Sequence, residues 1–417
     1  MPKKKTKLPA SLLALSVISG SALADVTQQV EDALNFYHYG KNGAVKVDLN
    51  YRYENVDQDR GAQRTANANT ARLRAGLLSP VFHGLQGYAE YEGNLAMQED
   101  FNSTRNNNTA YSTVADPQQS EVNQLWLSYA GIPDTVIKGG RQRIKLDDDR
   151  FIGNVGWRQM ETTFDSVLLT HNNQQLFGLT VNAGYIGNVQ TFTSTTENIE
   201  APILNVNYKV GDYGNLVGYA YLLDYTEREN YEKSSQTYGL RMSNFQKPGD
   251  TYKLGDNYGL VYTAEWGRQI DYGHGATKYE ADRINLMSGF TAYNFTFQGA
   301  MEQLDGKGLN KTFDTPLGTN HAFQGWADLF LATPADGIRD VFGTVLTTLD
   351  RGNVVLTGVY HDFSDDTGQL HYGKEWDVQA LKKFGKHYSV LAKYAYYDAD
   401  QFGTDTQKIW VQGNISF

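Results

Sequence analysis

From Ala44 onward, apolar and polar positions alternate in runs with a period of two. Val45, Val47, Leu49, Tyr51 and Tyr53 share one face, and Lys46, Asp48, Asn50, Arg52 and Glu54 the other, as in a strand whose successive side chains point to opposite sides. Tyr293, Phe295, Phe297 and Met301 alternate likewise with Asn294, Thr296, Gln298 and Glu302, and Ile409, Val411, Ile415 and Phe417 with Lys408, Trp410, Gln412 and Asn414. Similar runs predict about eighteen strands, with sixteen as the alternative. They cover 44–56, 69–79, 85–95, 121–130, 135–146, 162–170, 175–187, 200–210, 215–226, 236–245, 257–268, 278–288, 292–302, 338–348, 353–363, 373–383, 387–398 and 406–417. Long spacers (57–68, 96–120, 147–161, 188–199, 227–235, 269–277 and 303–337) alternate with short turns such as Gly131-Ile132-Pro133-Asp134 and Phe384-Gly385-Lys386; the connection 246–256 is a moderate exception. This rhythm predicts an all-β chain, a transmembrane antiparallel β-barrel with short periplasmic turns, long extracellular loops and both ends in the periplasm.

The segment before Ala44 reads differently. Lys3, Lys4, Lys5 and Lys7 open it, Leu8 to Ile18 is mostly apolar, and Ala22-Leu23-Ala24 precedes Asp25. Residues 1–24 therefore read as a secretory signal and 25–43, with Val26, Val30, Ala33, Leu34 and Phe36 at helical spacing, as a periplasmic arm. The barrel is expected over 44–417. With a mean hydropathy of −0.51, nothing in the mature chain supplies the ~20 consecutive apolar residues of a membrane-spanning helix. Removing the leader's four lysines leaves 33 basic against 47 acidic residues, which argues against a nucleic-acid partner. The chain has no cysteine, so its stability cannot depend on disulfides. The expected site is the outer membrane of a Gram-negative cell, in contact with outer-membrane lipid and lipopolysaccharide.

Tyr51, Tyr53, Tyr88, Tyr91, Trp126, Tyr129, Tyr219, Tyr221, Tyr258, Tyr262, Tyr394 and Tyr396 lie in predicted strands, where interfacial girdles would place them. Charge on strands says more. An arginine facing lipid near the midplane costs about 2–4 kcal/mol, so Arg72 and Arg74 are expected in the lumen, with Leu73, Ala75 and Leu77 outside. The same parity groups Arg141, Arg143 and Lys145, while Lys46 and Arg52 extend the basic set and Asp48, Glu54, Glu90 and Glu92 oppose it. Two readings stay open: charges paired across strands that solvate a closed interior, or a surplus basic track for anionic solutes.

In the loops, Asp147-Asp148-Asp149, Asp362 with Asp365 and Asp366, and Asp398 with Asp400 are hard oxygen donors. They suit either calcium or pairing with nearby cations. The stretch His321 to Phe330 in the 303–337 connection constricts the pore if folded inward and forms a lid if folded outward. No Gly-x-Ser-x-Gly elbow, His-Glu-x-x-His pair or phosphate-binding glycine loop occurs, and the eight histidines are scattered, so neither an enzyme nor a cofactor is expected.

Three stretches resemble the alginate-export family of outer-membrane porins. One is Tyr51-Arg52-Tyr53-Glu54-Asn55-Val56-Asp57 with Ala71-Arg72-Leu73-Arg74 and Glu90-Tyr91-Glu92. The second runs from Gly140-Arg141-Gln142-Arg143 through Arg150-Phe151-Ile152-Gly153 and Gly156-Trp157-Arg158-Gln159 to Phe164-Asp165. The third is Thr333-Pro334-Ala335-Asp336-Gly337-Ile338-Arg339-Asp340, with His361-Asp362-Phe363 and the closing Lys408 to Phe417. The resemblance implies an eighteen-stranded barrel that passes an acidic saccharide along Arg52, Arg72, Arg74, Arg141 and Arg143, with Arg150 and Arg158 at the extracellular mouth; Glu90 and Glu92 beside that track depart from it. The expected function is passive diffusion of small hydrophilic solutes, anionic or sugar-like, and the alternative is an adhesion barrel that binds partners through its loops. Monomer and homotrimer are both compatible with the sequence.

Overall fold

The computed structural model describes residues 43–59, 63–173, 178–245, 250–275 and 278–417. The expected leader, and the arm apart from Gly43, lie outside these. One antiparallel sheet runs through β1 (Ala44–Gln58), β2 (Ala66–Leu78), β3 (Leu85–Asp100), β4 (Gln119–Ile132), β5 (Thr135–Gln142), β6 (Thr163–Asn173), β7 (Leu179–Gln190), β8 (Thr196–Lys209), β9 (Asn215–Tyr225), β10 (Ser235–Ser243), β11 (Tyr252–Lys253), β12 (Tyr258–Asp271), β13 (Glu280–Ala292), β14 (Phe295–Leu304), β15 (Ile338–Leu349), β16 (Val354–Ser364), β17 (His371–Phe384), β18 (Tyr388–Ala399) and β19 (Thr406–Ser416). β1 pairs with β2 on one side and with β19 on the other, from Asp48 opposite Ser416 to Gln58 opposite Thr406. The sheet is therefore closed. β11 has two residues and only extends the ladder of β12, so eighteen strands make the barrel. Closure pairs every strand with two neighbours, which satisfies the backbone where no water can.

Connections alternate in length as expected. At one end lie 101–118, 143–162 and 305–337, and at the other 79–84, 133–134 and 293–294. Several boundaries shift, β3 for one running on to Asp100, and two of the shifts change a connection. The 188–199 spacer is a five-residue turn over 191–195, because its Thr- and Asn-rich flanks continue the β7–β8 ladder. β5 stops at Gln142 rather than at 146, because the chain turns into the lumen there.

The barrel is apolar outside and charged inside. Val45, Leu77, Leu125, Val167 and Phe290 are exposed on the outer face, while Lys46, Asp48, Arg52, Glu54, Arg72 and Arg74 are buried on the inner one. Tyr129, Tyr258, Tyr293, Tyr388 and Phe417 are exposed near the short-turn end, as an interfacial girdle requires. Tyr88, Trp126, Tyr219 and Tyr221 are not part of it: they face inward and are buried. The largest apolar cluster consists of loop residues seated against the inner wall. Ile144, Leu146, Phe151 and Trp157 of connection 143–162, with Phe313, Leu317, Trp326 and Phe330 of connection 305–337, pack among Ile186, Ile203, Val217 and Tyr219. At the neck of the longer connection a Cβ on Gly306 would collide with the Gly337 nitrogen. Only glycine permits that approach.

Candidate solute path and its loop constriction

Strand parity builds the first wall. Lys46, Asp48, Arg52 and Glu54 of β1, Arg72 and Arg74 of β2, and Glu90 and Glu92 of β3 all face inward and are buried. Arg72 pairs diagonally with Asp48 and Arg74 laterally with Glu92, the reach expected of long side chains across a ladder. Lys46 lies 3.5 Å from Glu90. Arg52 reaches Asp116 of connection 101–118 at 3.4 Å and donates to the Trp157 carbonyl.

Connection 143–162 lies against this wall. Arg143 Nε donates to Glu161 at 2.7 Å, Arg158 binds Glu54 at 3.1 Å and Asp328 at 3.3 Å, and Arg150 binds Glu302 of β14 at 3.1 Å. Burial works to raise the Glu161 carboxyl, but Arg143 and Arg74 outweigh it and hold the group well below the usual carboxylate range. Val155 adopts a φ of 52°, a conformation that costs a β-branched residue roughly 1–3 kcal/mol. The Thr319 hydroxyl fixes it by accepting from the Val155 amide at 3.1 Å.

Connection 305–337 completes the constriction. Its Trp326 and Ala327 amides donate to Asp377 and Glu375 of β17 at 3.2 and 2.7 Å. His321 Nδ1 contacts Asp328 at 2.6 Å and its Nε2 faces Lys393 Nζ of β18 at 2.7 Å. That arrangement calls for a neutral ring that donates to Asp328 and accepts from Lys393. Burial pushes the imidazole well below its ordinary value. It acts on Asp328 in the opposite sense, yet His321, Lys408 and Arg158 hold that carboxyl well below its usual range. The two connections also grip each other: the His321 and Trp157 rings stack at 4.3 Å, and Arg150 donates to Asn320 and Gln324 at 3.1 and 2.9 Å. Lys393 sits over Trp326 at 3.9 Å and Trp157 at 4.2 Å, within cation–π range.

Nine of the ten residues singled out from the sequence thus lie inside the barrel: Lys46, Arg52, Arg72, Arg74, Glu90, Glu92, Arg143, Arg150 and Arg158. Arg141 does not. It stands opposite Leu125 and Asp165 on the outward face, where Asp165 binds it through two bonds of 2.8 and 2.9 Å. It lies near the long-loop rim of β5, where the cost of an outward charge falls to roughly 0–1 kcal/mol. Arg143, beyond the strand end, is free of strand parity and turns in. Sequence reasoning missed Asp116, Glu161, Glu302 and Asp328, the loop and wall carboxylates that neutralise the arginines, and the inward cations Arg241, Arg283, Lys393 and Lys408. The midplane rule applied to Arg72 would have found the last four; no sequence pattern marks Asp116 or Asp328. Of the loop acids weighed as calcium ligands, Asp148 and Asp149 hold cations of the chain, Arg241 at 2.8 Å and Lys145 at 3.3 Å, while Asp365 and Asp366 accept from the backbone amides of Leu370 and Gly306 at 2.8 and 2.9 Å. Among the described residues no cluster of three His, Asp or Glu side chains is arranged to hold a metal ion.

The alginate-export family model matches residues 43–300. The chain belongs to the alginate-export family. No curated protein matches it. Among solved structures this family member is similar to Acinetobacter baumannii OccAB4, with a TM-score of 0.68 and 15% identity over 91% of this chain and 99% of that one. It is also similar to OccAB3 of the same organism, at 0.70 and 12% over 90% and 99%. A third is Pseudomonas aeruginosa OpdK crystallised with vanillate, at 0.68 and 12% over 89% and 98%. Identities this low speak to the fold alone. Together they show that this family member has the closed β-barrel fold of outer-membrane porins.

Proposed function

We propose that this alginate-export family member is a porin-like channel through which small hydrophilic solutes, sugar-like or anionic, diffuse passively, with no chemical step. The observation that carries this reading is the inward fold of connections 143–162 and 305–337 into an eighteen-stranded barrel whose inner wall carries charged side chains. Lys46, Arg52, Arg72, Arg74, Glu90, Glu92, Arg143, Arg150 and Arg158 form the proposed path; Arg141, on the outer face, is omitted. The likeness to OpdK crystallised with vanillate supports a solute of small size. The test is single-channel recording of the purified chain in a planar bilayer under a salt gradient. Steady openings are expected, blocked by a sugar or acidic sugar added from the loop side. A silent barrel would favour the adhesion reading, in which the inward loops plug the lumen and the outer loops bind partners.

A further inference from the structure

At the loop end of the barrel lies a cavity of about 540 Å³, within the ~300–1,000 Å³ typical of small-ligand sites. Its floor is the constriction itself, with Trp157, Arg158, His321 and Asp328, and its walls come from connections 191–195, 226–234 and 305–337. We propose that this cavity captures neutral, hydroxyl-rich solutes of saccharide size and disfavours anions. The proposal deepens the channel reading, and rests on it only for what happens after capture.

Charge carries the first step. Arg158 and Lys233 are the only arginine and lysine on the cavity wall among the described residues. Both are engaged: Lys233 binds Glu197 at 2.7 Å, and Arg158 is shared by Glu54 at 3.1 Å, Asp328 at 3.3 Å and Asp116 at 3.8 Å. Against them the wall carries Glu197, Glu232, Asp314 and Asp328. Glu197 and Asp328 are themselves paired, Glu197 with Lys233 and Asp328 with Arg158 and Lys408. An anion would thus face no unengaged cation and two carboxylates, Glu232 and Asp314, that no lysine or arginine of the described residues neutralises, and like charge disfavours it there. This separates the cavity from the arginine-rich wall below it.

The remaining lining decides between a neutral solute and a cation. Asp314 already accepts from the Thr333 amide at 3.0 Å and the Thr312 hydroxyl at 2.5 Å. Glu232 is exposed, so salt weakens its pull on a cation and its repulsion of an anion alike, and hydrogen bonding rather than charge has to hold the solute. Around them stand Thr162, Thr191, Thr193 and Asn310, with Phe192 and Tyr279 supplying ring surface. A few polar groups over aromatic and apolar walls is how small-molecule sites fix orientation, and carboxylates with spare lone pairs accept from solute hydroxyls as readily as from water.

Glucose, glucuronate and glucosamine share one ring and differ in charge, so they are the probes. Binding of each to the full chain in detergent is measured by saturation-transfer NMR, which does not depend on conduction. Glucose should bind with glucuronate at least about tenfold weaker. Glu232→Lys, a change on an exposed loop position, should bring that ratio below about threefold, and Asp314→Asn should narrow it in the same direction. Glucuronate binding as well as glucose, glucosamine binding better than glucose, or no binding of any of the three would each overturn the proposal. Bilayer recording separates the two readings. A barrel that binds glucose but passes no current loses the channel assignment and keeps the site, whereas a conducting barrel that binds none of the probes loses the site alone.

Discussion

His321 and Glu161 each pin a loop into the lumen, and they should respond to acid at different pH. His321 is neutral in place, faced by Asp328, Lys393 and Arg158, and burial holds its pKa well below 6.5. A displaced loop exposes the ring and restores its ordinary value, so lowering the pH stabilises the displaced state and not the docked one. By linkage the bias grows about tenfold between pH 7.5 and 5.5, and the frequency of loop-dependent current steps should rise accordingly. His321→Gln should flatten that dependence; a variant that keeps it would assign the effect to another group. Glu161 behaves oppositely. Its folded-state pKa is depressed by Arg143 and Arg74, so its contribution is present above the ordinary carboxylate value and fades only as the pH falls through the depressed one. The pH 5.5 experiment therefore leaves it untouched. Glu161→Gln should instead weaken docking of 143–162 by about 3 kcal/mol, since it strands buried guanidinium charge, and proteolysis of that loop in the intact barrel is the measurement.

Strands impose parity on their side chains and loops do not, and the difference can be tested with single charges. Leu73 is exposed on the outer face between Arg72 and Arg74. Leu73→Arg should cost about 2–4 kcal/mol and lower the folded fraction in vesicles, while Arg72→Lys, on the inner face, should not. Arg141 and Arg143 are two residues apart but on opposite sides of the wall. Arg143→Glu should move the reversal potential toward cations, and Arg141→Glu should leave it unchanged; equal shifts would mean that β5 ends later than Gln142. Parity was readable wherever alternation ran through the middle of a strand, as in Lys46 to Glu54 and Arg72 to Leu77. It failed at Arg141 because the rule that forces arginine inward weakens at the membrane interface, and because the end of β5 is set by where 143–162 finds its partners.

At the scale of the molecule, closing eighteen strands leaves a wide lumen, and the two inward connections narrow it. They are held by contacts far apart in sequence, such as Arg150 with Glu302 and Arg158 with Glu54. Shortening 305–337 between Gly306 and Gly337 should raise single-channel conductance about twofold or more, because the constriction loses one of its two sides. Unchanged conductance would make 143–162 the sole limit. The chain's alternation, its spacer rhythm and the cost of charge in lipid determined the barrel and the inward basic wall, because both follow from local periodicity in a layered solvent. Whether 305–337 folds inward, which carboxylate neutralises which arginine, and where a cavity is left above them were decided only by tertiary structure. Those outcomes depend on pairing between separate strands and loops, in cases such as Arg158 with Glu54 and Arg150 with Glu302 a hundred or more positions apart, and no local pattern in the sequence encodes the partner.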